Sequence, residues 1–362
     1  MSTDESRTVG LVADPGIAAA MAGRVAGALE ARLSEAVGGR WRAEVDERRL
    51  PLDPSGDVPF FSSARRIREE TGWDWVVYVT ELPRFLEDGP MLAEADGEEC
   101  AGMLSLPAFG AVGVRRRLLR AAVHMIRETE GGDGSSPPGL WSGRPGARLR
   151  RRVDSGERTV EYLHRAGPLR LLPAVLGTIR TNRPLDLVAA LSNSLALAAA
   201  TGAFGIFYGS IWTMSDALSP ARLTVISAAV IVLLVVWLIV RNGLWDSPRG
   251  LAGRREAWMS NAATLLTLAT GVLVMHLALL LVMVALGGTV IEPGYLESQL
   301  GHPVGPGDYA QLAWLSASLG TLAGALGSNF NSEEAVREAT YSRRVYERRR
   351  LAREMEEDAD GE

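Results

Sequence analysis

Lysine is absent: all 38 basic residues are arginine. A chain without lysine supplies no Walker lysine, and neither phosphate-binding glycine fingerprint follows its first apolar run. The arginine bias fits high-G+C coding, since arginine also replaces lysine on plain charged helices. The single cysteine, Cys100, excludes an intramolecular disulfide and any cysteine-built zinc cluster. Positive charge is in short supply too. A formal net charge of −5 on 362 residues lacks the electrostatic footprint of a nucleic-acid binder. The first ten residues, MSTDESRTVG, lack the basic and apolar regions of a secretory signal, so the N-terminus is expected in the cytosol.

The mean hydropathy of +0.07 hides two unlike halves. Charged residues crowd both ends, whereas residues 187–332 are mostly apolar. About 20 apolar residues cross a bilayer, and four stretches reach that length, at about 187–213, 222–241, 259–290 and 309–330. The arginines set their orientation. Ten lie between Arg144 and Arg183, before the first stretch, and seven between Arg337 and Arg353, after the last. The loop between the second and third carries Arg241, Arg249, Arg254 and Arg255. The loop 292–308 has no arginine and holds Glu292, Glu297 and Asp308. By the positive-inside rule both termini are cytoplasmic and the protein is a multi-pass protein of the inner (plasma) membrane.

Small residues recur in two of the spans, as Gly205-x-x-x-Gly209 and Gly320-x-x-x-Gly324. Such spacing lets helices approach closely, within one chain or in a homo-oligomer. Inside their ends the spans contain no Asp, Glu or Arg; Arg222 and Arg241 stand at the edges of the second. Asn193, Asn261 and His276 are the polar residues a transport path would use, and interhelical hydrogen bonding is their plainer role.

Residues 8–128 alternate between strand and helix patterns. Thr8–Ala13, Trp41–Val45, Trp73–Thr80 and Cys100–Leu106 read as strands. The helices read as Ile17 to about Val37, a short one capped by Ser62 or Ser63 and ending at Thr71, and Val114–Arg127. The order predicts an α/β cytosolic domain over 1–129, a parallel or mixed sheet with helices on both faces, followed by an all-α transmembrane four-helix domain. In such sheets ligands meet the carboxyl ends of the strands. Those ends carry Asp14, Glu81 and Ser105, and Arg115, Arg116 and Arg117 follow; together they could bind an anion or a metal, or serve an enzyme. The plainer roles are a helix cap for Asp14 and a solvated loop position for Glu81. No cofactor is expected.

Residues 130–147, EGGDGSSPPGLWSGRPGA, predict a flexible linker. Charge divides there: 16 arginines face 23 acidic residues over 1–139, and 10 face 3 over 140–183. The basic stretch 148–184 suits a juxtamembrane amphipathic helix, with Arg148 to Arg183 meeting anionic lipid headgroups. The tail, 333–362, reads as a charged cytosolic helix.

Two stretches carry a resemblance: TIRTNRPLDLVAALSNSLALAAATGAFGIFYGSIW (178–212), and DWVVYVTELP with SLPAFGA (74–83 and 105–111). Through them the chain resembles a family of uncharacterised integral membrane proteins of high-G+C Gram-positive bacteria. That resemblance implies a cytosolic α/β domain joined to four transmembrane helices, and it implies no activity. The expected role is a ligand- or partner-binding module anchored in the membrane, with an enzyme or a small-solute transporter as alternatives.

Overall fold

The computed structural model describes residues 6–54, 56–86, 89–130, 147–153, 159–165, 171–246 and 254–361. The chain divides into two compact units, one of Met1–Thr181, Ser247–Ser260 and Tyr341–Glu362, the other of Asn182–Asp246 and Asn261–Thr340.

The first unit is a mixed sheet with helices. It opens with β1 (Arg7–Ala13), α1 (Ile17–Ala36), β2 (Trp41–Glu47), α2 (Phe60–Thr71) and β3 (Trp75–Thr80). A short β4 (Phe85–Leu86), β5 (Gly89–Asp96), β6 (Ala101–Ser105) and α3 (Val114–Glu130) follow. β1 pairs in parallel with both β2 and β3, and β3 in parallel with β6. β5 joins β6 antiparallel. The strand order is β2-β1-β3-β6-β5, extended by β8 (Thr159–Arg165) and β7 (Ala147–Val153).

This order follows from right-handed crossovers. From β1 the chain steps one way to β2, then back past β1 to β3, which puts α1 and α2 on opposite faces. The side chains agree. Leu11, Val77, Val79 and Leu104 pack with α1 and α3, whereas Tyr78 points the other way and stacks on Phe60 of α2 at 5.4 Å. All six residues of β3 are buried, as a strand covered on both faces requires.

The four strands and three helices expected over 8–128 are present, with ends shifted by a few residues. The start of α2 differs: Pro59 precedes it, and the Ser62 hydroxyl donates back to the Pro59 carbonyl at 2.7 Å instead of capping. The antiparallel β5 is an addition to the expected strands. The expected linker lies almost wholly outside the described residues. The basic stretch 148–184 is not one amphipathic helix. Among its described residues the first part forms β7 and β8, an antiparallel pair joined to β5, and helix starts with α4 (Leu171–Asn182). Arg148-Leu149-Arg150 alternates charged and apolar residues, a strand pattern as much as a basic one.

The second unit is helical: α5 (Pro184–Ala190), α6 (Ser192–Phe207), α7 (Gly209–Ala217), α8 (Pro220–Arg241), most of α9 (Arg254–Val290), α10 (Pro293–Leu300), α11 (Pro306–Gly327) and α12 (Glu333–Thr340). Among the described residues two helices, Pro220–Arg241 and Ala257–Val290, are long and apolar enough to cross a membrane. A third span results if α5 and α6, bent by 72° at Leu191, count as one. The fourth expected span contains α11, which falls short on composition. The reason is its position: α11 packs against α6, α7 and α8, and eleven of its residues are buried, among them Ser316, Ser318, Gly320, Thr321 and Gly324. A helix surrounded by helices needs small and polar residues, not lipid-facing leucines. The last helix, α13 (Arg343–Gly361), belongs to the first unit.

Candidate functional site

The chain reverses direction between β1 and β3, so the crevice at their carboxyl ends is the sheet's topological switch point. Asp14 closes β1 there, and Thr80 and Glu81 close β3. The turn Asp14-Pro15-Gly16 enters α1 through Gly16 at φ 113°, where a side chain would be strained.

Asp14 is 1% exposed. Its Oδ2 accepts from the Thr80 hydroxyl at 2.7 Å and from the Glu81 backbone N–H at 3.0 Å, and its Oδ1 accepts from the Tyr78 hydroxyl. Burial, then the adjacent Asp14 charge, pushes the Tyr78 phenol above its usual range, so it stays a donor. The positive partner is Arg344 of α13, a residue only 2% exposed. Its Nε lies 2.9 Å from Asp14 Oδ1, and its Nη2 donates to the Leu50 carbonyl at 2.5 Å and the Tyr78 hydroxyl at 3.1 Å. Its Nη1 donates to Glu347 at 3.0 Å, and Glu347 also pairs with Arg49 at 2.5 Å. The guanidinium is thereby spread over acceptors from its own helix and from three other segments. Beside it, Arg49, Leu50, Leu52, Tyr346, Arg350 and Leu351 help line an open groove of about 500 Å³.

Glu81 is not a solvated loop residue. It is 4% exposed, and its Oε1 accepts from the Ile17 and Ala18 backbone N–H groups at 2.7 and 3.1 Å. Gly16 has no side chain to cap α1, so a carboxylate from the end of β3 does it. The two acids depart from their expected roles: Glu81 caps, and Asp14 binds the buried cation. Glu81→Ala is expected to speed hydrogen exchange in the first turn of α1 by about 5–30-fold, the equivalent of a lost cap worth about 1–2 kcal/mol. Unchanged exchange there would show that the cap contributes nothing.

Ser105 is in register with Thr80, but its hydroxyl donates to the Leu82 carbonyl at 2.8 Å. The arginine trio does not join the crevice. Arg115 and Arg116 are exposed, and Arg117 donates to the Phe109 carbonyl at 2.6 Å. Arg344 is hard to single out in the sequence because it is one of seven tail arginines. A faint signal exists: Tyr341 and Val345, apolar residues among the tail arginines, are both buried.

In the helical unit the three polar candidates are separate. The His276 Nδ1 lies 2.8 Å from the Thr321 hydroxyl, tying α9 to α11. The Asn261 amide exchanges two hydrogen bonds with the Asp246 backbone, 2.8 and 3.1 Å. Fifteen residues of helix, roughly 22 Å, separate Asn261 from His276. Asn193 is exposed at the start of α6, where its backbone N–H donates to Asn331 at 3.2 Å. Gly205, Gly320 and Gly324 are used within the chain. A Cβ at Gly205 would lie 2.4 Å from the Ser316 hydroxyl, and one at Gly320 would lie 2.4 Å from the Ala198 carbonyl. Gly209 has only an ordinary contact, with Gln299 at 3.7 Å.

No protein-family model, curated protein or solved structure matches the chain.

Proposed function

We propose that the protein is a membrane-anchored binding module, in which the ligand crevice of a cytosolic α/β domain is held closed by the chain's own C-terminal helix. The observation that carries this is Arg344, seated in the switch-point crevice against Asp14, Tyr78 and the Leu50 carbonyl. The crevice is where such sheets receive ligands, and the tail fills it with a built-in cation. Because α13 follows the last helices of the second unit in sequence, its release or capture couples the membrane half to the binding half. Four spans, with α11 as the central one and both ends cytoplasmic, agree with the arginine distribution. The domain reads as a binder and not an enzyme. Glu81 and Ser105 each hydrogen-bond to backbone groups, which leaves a structural account of both.

Hydrogen exchange on the full chain in lipid nanodiscs tests this. Amides of residues 345–353 are expected to be protected, and Arg344→Gln to release them at least about tenfold while β3 and β6 keep their protection. Native mass spectrometry should then show small-molecule adducts on Arg344→Gln that the wild-type chain excludes. Equal exchange of α13 in both proteins would overturn the closed-crevice reading.

A further inference from the structure

Three segments of the helical unit bring metal-ligating groups together at one end. Asp216 is at the end of α7, His302 is in the loop after α10, and Asp308 is in the first turn of α11. One donor atom from each lies within 4.8 Å of the other two. The His302 ring is oriented. Its Nδ1 is 2.9 Å from the Pro303 carbonyl, which can only accept, so Nδ1 carries the hydrogen. In the neutral ring Nε2 is then a bare lone pair, and it faces Asp216 Oδ1 at 3.2 Å. Two lone pairs at that distance repel unless a cation lies between them.

A proton is one such cation. The Pro303 carbonyl, then Asp216, hold the imidazole above its usual value. A proton, however, needs only one carboxylate, and here two converge. With an imidazolium the cluster keeps a net charge of −1; with a divalent ion and the neutral ring it reaches zero. The donors are also pre-positioned by bonds that leave them available. Gln311 Nε2 donates to the Ser215 carbonyl at 2.5 Å and the Leu218 carbonyl at 2.8 Å, clamping the end of α7 on either side of Asp216. Gly305 N–H holds one Asp308 oxygen at 2.7 Å. A cavity of about 10 Å³, room for one water, is bordered by both Asp216 and Asp308.

We propose that Asp216, His302 and Asp308 form a binding site for a divalent transition-metal ion of the zinc class, with water completing the shell. One imidazole nitrogen and two carboxylate oxygens, with an open fourth position, suit Zn²⁺. Mg²⁺ and Ca²⁺ prefer all-oxygen shells and are expected to bind weakly or not at all. The proposal is independent of the crevice described above.

The test is Zn²⁺ titration by calorimetry of the untagged full chain in detergent, after chelator treatment. One ion per chain is expected, with His302→Gln and Asp216→Asn each weakening binding by at least about tenfold. Thermal unfolding of these variants without metal should match the wild type. Should either variant fail to fold, X-ray absorption of the zinc-loaded wild-type chain decides: one imidazole with oxygen neighbours supports the site, and a shell of several imidazoles overturns it. Absence of Zn²⁺ binding, or equal affinity in wild type and folded His302→Gln, leaves His302 a simple protonated partner of Asp216 and overturns the proposal.

Discussion

Asp14→Ala is expected to destabilise the sheet-containing unit by about 3–5 kcal/mol, the usual cost of removing one partner of a buried ion pair. The substitution strands more than Arg344. The Thr80 hydroxyl, the Tyr78 hydroxyl and the Glu81 N–H all lose their acceptor in a site that water does not reach. The loss has a ceiling, because the chain has an escape. If α13 detaches, Arg344 regains water, and the cost of stranding it cannot exceed the docking free energy of that helix. Urea unfolding followed by tryptophan fluorescence, with hydrogen exchange of α13 read in parallel, separates the two cases. Asp14→Leu combined with Arg344→Met removes both charges and should recover most of the loss, since a buried ion pair seldom outperforms apolar packing of similar volume. A cost under about 1 kcal/mol for Asp14→Ala, or strictly additive effects in the double variant, would show that the pair is not coupled.

The same site shows how much a sequence discloses. β1, β3 and β6 are legible as apolar runs, because a strand buried on both faces has no polar side to disguise it. The carboxyl ends of those strands, and hence Asp14 and Glu81, follow directly. Their roles do not follow, because capping depends on which N–H groups lie within reach across 64 residues of chain. β5 stays hidden since its buried Glu94 reads as a surface residue until Arg84 is found paired with it. Arg344 is illegible for the opposite reason. Its neighbours in sequence are arginines of the same charged tail, and only the fold distinguishes it from them. In the helical unit, composition picks out two helices apolar enough to cross a membrane and passes over α11, whose small residues accompany its burial against α6, α7 and α8.

That burial makes the second large prediction. Gly320→Val is expected to cost the helical unit about 3 kcal/mol, the upper range for overpacking. The Cβ alone would stand 2.4 Å from the Ala198 carbonyl oxygen and 3.0 Å from Leu279. The carbonyl belongs to the backbone of α6 and cannot rotate away, so the two helices must separate. Separation is costly here because it also stretches the close approaches of Gly324 and Gly327 to the Ser194 backbone, where a Cβ on either glycine would come within 3.2 and 3.0 Å. It loosens the Asn331–Ser194 hydrogen bond of 2.8 Å near the same end. The glycines of the helical unit are not equally crowded, and that supplies the control. Gly209→Ala meets only the Gln299 side chain at 3.7 Å, and Gly288→Ala meets nothing within 4 Å. Both should unfold in SDS titration within about 0.5 kcal/mol of the wild type, whereas Gly320→Val unfolds at a clearly lower SDS fraction. If all three behave alike, α6 and α11 do not owe their close approach to glycine. A loss confined to Gly320→Val ties the stability of the helical unit to the approach of Gly320 to the α6 backbone at Ala198.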